Sequence, residues 1–312
     1  MHTFRAMNTD FVTSGLPDRA KAKAVSWFAF VERNLSRFLP QSELSALNRS
    51  AGRPFLASAL LYQALSEADR YYHKTGGLFN PYLGRILNNL GYSGSFETLS
   101  DQREVRRQEG LLKTPLTGPL AQLNPAMKSV QLLPEASVDL GGIAKGWSAH
   151  QLAQMLQRDG IRTGAINAGG DISLWGAPPE GFEIGVADPY HPGEDLLTLQ
   201  IRGSAGIATS STIKRRWKDD SGNEHNHIID PRSGRSGASD LAQVTMLAPD
   251  LTAAEVYAKC VLILGSRSGI DWLEEVCPGY AAIGVLKDGS LIFGGDLSQY
   301  CKEGELRYER IS

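Results

Sequence analysis

The run from Thr252 to Gly265, TAAEVYAKCVLILG, constrains the fold more than any other stretch of the chain. A helix-length segment with almost no polar residue has no face to offer to water, so other layers must enclose it. A chain of 312 residues is long enough to build that enclosure. Thr252 followed three residues later by Glu255 reads as a capping box, and Gly265 stands where a glycine ends a helix. Glu255 and Lys259 are spaced i and i+4, on one side of the helix. Enclosing an unpaired ammonium is unfavourable, so Lys259 calls for an anion beyond Glu255. If exposed, such a pair contributes only about 0.3–0.5 kcal/mol, and the apolar surroundings argue against exposure.

The enclosing layers are legible in outline. Residues 19–36 and 57–74 carry helical periodicity, the second ending at Thr75-Gly76-Gly77. Residues 98–124 are polar and mixed, and read as a helix-and-loop excursion. From about 128 the pattern shifts to short alternating segments: KSVQLLP and EASVDL read as strands. GIAKGWSAHQLAQMLQRDG then reads as a helix. TGAINAG, DISLWG, FEIGVAD, LLTLQI and AGIATSS follow as strands between Gly/Pro turns. Strands, two long helices and a late buried helix predict an α+β fold with a mainly antiparallel sheet. No boundary is evident, so residues 1–312 are read as a single domain.

Composition narrows the function classes. Hydrophobic residues make up 42% and charged residues 21%, with a net charge of −2, which gives no reason to expect nucleic acid or an anionic membrane as partner. No apolar run is long enough for a membrane-spanning helix. MHTFRAMNTDF has neither the apolar core of a signal peptide nor a lipid-attachment cysteine, so the cytosol is the expected compartment. Cys260, Cys277 and Cys301 are odd in number and widely spaced, which predicts reduced thiols and no zinc site.

Three motifs carry candidate chemistry. Asp139-Leu140-Gly141-Gly142-Ile143-Ala144-Lys145-Gly146 lies at a strand-to-helix junction. Glycines there let backbone N–H groups approach a phosphate, the helix N-terminus favours negative charge, and Lys145 adds a point charge. A tight turn with a surface lysine fits the residues equally well. Asn167-Ala168-Gly169-Gly170-Asp171 reads as a hairpin turn. Ala208-Thr209-Ser210-Ser211 precedes, across a polar loop, His227-Ile228-Ile229-Asp230-Pro231-Arg232-Ser233-Gly234. His227 suits a general base and the hydroxyls of 209–211 suit a ligand, while a plain DPRSG turn is the bland alternative.

In this order the motifs resemble the ApbE family, the FAD:protein FMN transferases, over most of the chain. Met7-Asn8-Thr9 is similar to the family's Met-Gly-Thr. RFLPQSELSALN resembles its segment around Ser42, Glu43 and Asn48, and TGGLFNPYLG its Gly-x-Phe-Asp-Pro-Thr stretch. The resemblance implies a T-fold-like α+β architecture with helices packed around an FAD cleft. It implies an enzyme that uses Mg²⁺ to cleave the FAD pyrophosphate and attaches FMN to a Thr or Ser of an acceptor protein. Carried over by position, Met7, Leu78, Phe79, Asn80, Asp139, Ala144, Lys145, Thr209, Ser210, Ser211 and Ile228 would contact FAD. His227, Lys259 and Asp230 would serve catalysis, and Ala144 and Glu255 would face the metal.

This chain departs from the family where the metal is held. The family's late helix supplies Asp and Thr ligands, and the aligned residues here are Glu255 and Lys259. Asn80 stands for an Asp, Tyr82 for a Thr, His150 for an Asp and Ser211 for a Gly. Lys259 thus sets an ammonium where the family sets Mg²⁺. Two further functions stay compatible with the residues: an FAD-binding carrier or sensor without turnover, and an FAD pyrophosphatase giving FMN and AMP.

Overall fold

The computed structural model describes residues 1–92, 94, 118–213, 216–218, 224–301 and 307–308. Its centre is an eight-stranded, wholly antiparallel sheet. In spatial order the strands are His2–Ala6, Thr9–Ser14, Gly164–Ala168, Asp171–Trp175, Ala205–Ser211, Leu241–Ala248, Ala281–Leu286 and Leu291–Gly295. Each face of this sheet is covered, so its central strands feed two cores by simple alternation. Ala208, Met246 and Ala282 point into the larger core beneath the helices. Ile207, Leu247 and Ile283 point the other way, onto a three-stranded sheet of Phe182–Ala187, Asp195–Ile201 and Arg307–Tyr308. Leu241–Ala248 is consequently buried at every position.

The enclosed helix runs Leu251–Leu264, and within it only Lys259 and Leu264 are not fully buried. It lies between the sheet and helices Asp18–Leu35, Ala59–Lys74 and Ala144–Arg158, as an all-apolar helix must. Gly206 permits its close approach: a Cβ there would come within 2.1 Å of the Asp250 carbonyl carbon. The expected capping box does not form. Asp250, in extended conformation, is the N-cap, and its carboxylate accepts from Ala253 N–H at 2.9 Å. Thr252 is already inside the helix and buried, and the Glu255 side chain points across to a different helix. The C-terminal stop is as expected, with Gly265 at φ 90°.

Helices expected over 19–36, 57–74 and 142–160 appear as Asp18–Leu35, Ala59–Lys74 and Ala144–Arg158. The excursion expected over 98–124 lies largely outside the described residues, and its end forms the strand Ala121–Asn124. EASVDL is not a ladder strand. Its one bridge is Leu83 to Ser137, and the Asn48 side chain takes the place of a neighbouring strand. The Asn48 amide donates to Val138 O at 2.9 Å, and its Oδ1 accepts from Val138 N–H at 2.7 Å.

Two hairpin tips lie side by side at one end of the sheet. Met7-Asn8 joins the first two strands with φ of 49° and 57°, and Gly169-Gly170 joins the next two with φ of 69° and 99°. Both are two-residue loops with positive φ at both positions, the turn that matches strand twist. Phe11 pairs with Ala168, which brings Gly169 so close to Thr9 that a Cβ would overlap its hydroxyl.

Candidate active site

These two tips, the DLGG turn, the strand Ala205–Ser211 and the enclosed helix surround a cleft of about 490 Å³. That volume is within the range of small-molecule sites, about 300–1,000 Å³. Of the residues expected from sequence, Met7, Leu78, Phe79, Asn80, Asp139, Ala144, Lys145, Thr209, Ser210, Ser211, Ile228, His227, Glu255 and Lys259 all line it. Asp230 does not. Its carboxylate is held by the Arg232 guanidinium at 2.9 and 2.8 Å and by Arg232 N–H, so it fixes the turn. Burial works against its charge, but the Arg232 bonds outweigh that and hold the carboxyl below its usual range.

The chemistry concentrates where two helices meet. Ala144–Arg158 begins without a side-chain cap of its own. Glu255 supplies the cap from the neighbouring helix: Oε2 accepts Gly146 N–H at 2.7 Å. Gly146 must be glycine for this, because a Cβ would stand 2.7 Å from Leu251 O and 2.9 Å from Glu255 Oε2. The other oxygen, Oε1, sits between two ammonium groups, Lys259 Nζ at 3.5 Å and Lys145 Nζ at 3.9 Å. Lys259 also donates to the Glu255 main-chain oxygen at 3.1 Å. Lys145 in turn is bonded to Asp171 Oδ2, and Asp171 Oδ1 accepts Thr209 N–H at 3.1 Å. Two partly buried cations and two buried carboxylates therefore form one chain at the base of the cleft, with the carboxylates also tied to backbone amides.

Around that chain the walls divide by role. Gly142 lets the Phe79 ring and the Lys259 stem close in, each 3.3 Å from where its Cβ would be. Asn80 Oδ1 accepts Tyr82 N–H at 2.8 Å, while its Nδ2 is buried with no hydrogen-bond partner among the described residues. A donor left open in a cleft is a ready contact for a ligand acceptor. Tyr82 itself is fully buried and donates to Asp69, away from the cleft. Of the three hydroxyls, Thr209 is bonded to Thr245 at 2.9 Å and Ser211 to Ala242 O at 3.1 Å. Ser210 points to the opposite face of the strand, the face that carries the helices. His150 bonds Gln154 at 2.8 Å and is not part of the lining.

Sequence reasoning missed several lining residues. Asp171 and the Gly169-Gly170 tip read in the sequence only as a turn, yet they form the wall beside Lys145. Arg37, Phe38 and Tyr92 form a rim: the Arg37 guanidinium lies 4.3 Å from the Phe38 ring centre and 5.2 Å from that of Tyr92. Arg37 opens the RFLPQSELSALN motif, a signal of position with no indication of role.

The donor set is a poor match to a divalent cation. Mg²⁺ takes about six oxygen ligands in tight octahedral geometry. Here one Glu255 oxygen accepts an amide, the other faces two ammonium groups, and an ammonium offers no lone pair. No cluster of three acidic, His or Cys side chains suited to a metal occurs among the described residues. Glu255 and Lys259 as they stand here do not offer the ligand set of such an ion.

Fold and cleft together define an α+β protein whose sheet and helices enclose a cation-floored cleft. The ApbE family profile matches residues 2–283, so the chain belongs to the ApbE family. A Treponema pallidum protein named FAD:protein FMN transferase is 29% identical over 282 residues, covering 82% of this chain and 74% of the relative. A Vibrio cholerae protein of the same name is 27% identical, covering 77% and 72%. The solved ApbE protein from Thermotoga maritima has a TM-score of 0.83 and 24% identity, covering 97% of this chain and 99% of that one. It shares the fold. No described helix is long and apolar enough to cross a membrane.

Proposed function

We propose that this chain is an FAD:protein FMN transferase in which Lys259 does the electrostatic work that the family resemblance assigns to Mg²⁺. Family membership and the names of the relatives support flavin transfer from FAD to a protein. The observation that carries the finer reading is the pair of ammonium groups, Lys145 and Lys259, set around one buried carboxylate at a helix N-terminus inside the cleft. Lys259 Nζ donates to Glu255 O and Glu255 Oε1, and its third ammonium proton can meet a phosphoryl oxygen.

The reaction balances without a further co-reactant. The Thr or Ser oxygen of the acceptor protein bonds to the FMN phosphorus, the P–O bond to AMP breaks, and AMP leaves with the electron pair. The hydroxyl proton passes to a base, for which His227 lines the cleft beside the buried Ile228. Charge building on the phosphoryl and leaving oxygens is met by Lys259 and Lys145, preorganised by their carboxylates. The apolar wall of Leu78, Phe79 and Ile228 suits a flavin ring, and Asn80 Nδ2 a ligand acceptor atom.

The test is incubation with FAD and a Thr-bearing flavin-acceptor domain, read by in-gel fluorescence. Covalent fluorescence on the acceptor is expected. FMN and AMP released with no labelled acceptor would favour the pyrophosphatase, and FAD bound without turnover would favour a carrier. His227→Ala should cut transfer by about 10²- to 10⁴-fold while leaving FAD affinity near the parent value.

A further inference from the structure

Arg37 follows the C-cap Ser36 of helix Asp18–Leu35, and its side chain is only 7% exposed. Its guanidinium makes three directed bonds to three different segments. Nε–H bonds Asp139 Oδ2, Nη1–H donates to Asn88 Oδ1 at 2.7 Å, and Nη2–H donates to Tyr92 O at 2.6 Å. The remaining Asp139 oxygen, Oδ1, accepts Gly141 N–H at 2.6 Å. Both oxygens of Asp139 are thereby engaged in holding the turn. Asp139 also lines the cleft, so the turn it holds borders the ligand space.

The turn depends on this link more than the segment before it does. Residues 137–139 are fixed through their backbone: Ser137 O accepts Gly84 N–H at 2.8 Å, Asn48 brackets Val138, and Asp139 N–H donates to Pro81 O at 2.8 Å. Past Asp139 the chain is glycine at 141 and 142, with little conformational preference of its own. The angle of the Asp139 carboxylate decides where Gly141 N–H lies, and Arg37 sets that angle. A lysine keeps the charge but cannot reproduce a planar fork bonded to three partners.

We propose that Arg37 is a positioning residue: through Asp139 it fixes the Gly141-Gly142 turn against the phosphates of the bound nucleotide, and through Asn88 and Tyr92 it fixes the facing rim to the same point. This rests on the flavin-transferase reading for the identity of the ligand, but not for the state of the turn.

The test uses the full chain as Arg37→Lys, Asp139→Asn and the double variant, with Arg37→Ala for chemical rescue. Titration with FAD and with riboflavin separates phosphate-bearing from phosphate-free ligands, and hydrogen–deuterium exchange follows the peptide covering 139–144. Arg37→Lys should weaken FAD by about tenfold or more while changing riboflavin affinity less than about twofold. The double variant should bind FAD no worse than the weaker single, because both changes cut one link. Low guanidinium concentrations should restore part of the FAD affinity of Arg37→Ala. Exchange at 139–144 should quicken in Arg37→Lys with or without ligand. Unchanged exchange there, equal losses for FAD and riboflavin, or strictly additive losses would each overturn the positioning role. Should the parent fail to bind FAD while exchange quickens as expected, the function proposed above falls, and with it the phosphates as what the turn faces, while the hold of Arg37 on the turn stands.

Discussion

Replacing Lys259 with methionine removes one charge while keeping an unbranched chain that fills much of the same space. The parent ammonium lies 3.5 Å from Glu255 Oε1 and 3.1 Å from Glu255 O, with the side chain 17% exposed. At an effective dielectric near about 20, the gross attraction across that gap is about 5 kcal/mol, most of it offset by desolvation of both groups. Orphaning one member of a buried pair typically costs about 3–5 kcal/mol. Here Glu255 keeps Gly146 N–H at 2.7 Å and Lys145 at 3.9 Å, so the ligand-free protein should lose only about 1–2 kcal/mol, a few degrees of melting temperature. The larger effect belongs to the complex. Loss of a charge-assisted contact to phosphoryl oxygens corresponds to about 1.5–3 kcal/mol, roughly 10- to 150-fold in FAD affinity. Fluorescence titration with FAD and riboflavin measures it, because riboflavin lacks the phosphates and should bind the variant as it binds the parent. FAD affinity within twofold of the parent would refute the argument, and an equal fall for riboflavin would show collapse of the cleft instead.

Three further outcomes follow from the packing and titration of the chain. Gly146→Ala sets a methyl 2.7 Å from Leu251 O and 2.9 Å from Glu255 Oε2, so it should force the two helices apart and cost about 1–3 kcal/mol in chemical denaturation. Cys260, Cys277 and Cys301 are all buried, and burial pushes the first two up from the usual thiol range. None should react with a thiol reagent at neutral pH until the chain is unfolded. His191 is hydrogen-bonded to Asp188 at 3.0 Å, which raises its pKa above the ordinary histidine value. The stabilisation of that loop is therefore full below about 6.5 and is lost as pH rises through the raised value. NMR titration of His191 should return to the ordinary midpoint in Asp188→Asn.

Local pattern made most of the elements legible, and long-range pairing hid most of the site. The enclosed helix announced itself because an apolar run of that length has no other solution. Its N-cap is hidden because Thr252 and Glu255 mimic a local motif, while Glu255 caps a helix 109 residues earlier in the chain. The strands His2–Ala6 and Thr9–Ser14 are short, charged and near an edge, so alternation alone did not declare them. Without them the Gly169-Gly170 tip is only a turn; pairing of Phe11 with Ala168 makes it a cleft wall. EASVDL alternates like a strand, yet a side chain, Asn48, satisfies its backbone. The Arg37 role is invisible locally because its anion is 102 residues away. Lys259 was legible, since an ammonium in an apolar helix needs a reason wherever it occurs.

Dependence of FMN transfer on divalent metal tests the central claim most directly. Parent protein, FAD and a Thr-bearing acceptor domain are incubated with excess EDTA and, separately, with added Mg²⁺, and covalent flavin on the acceptor is followed over time. With Lys259 in place of the metal, the initial rate should be the same in both arms. Loss of transfer in EDTA, restored by Mg²⁺, would contradict the account and leave Lys259 as an auxiliary phosphate contact.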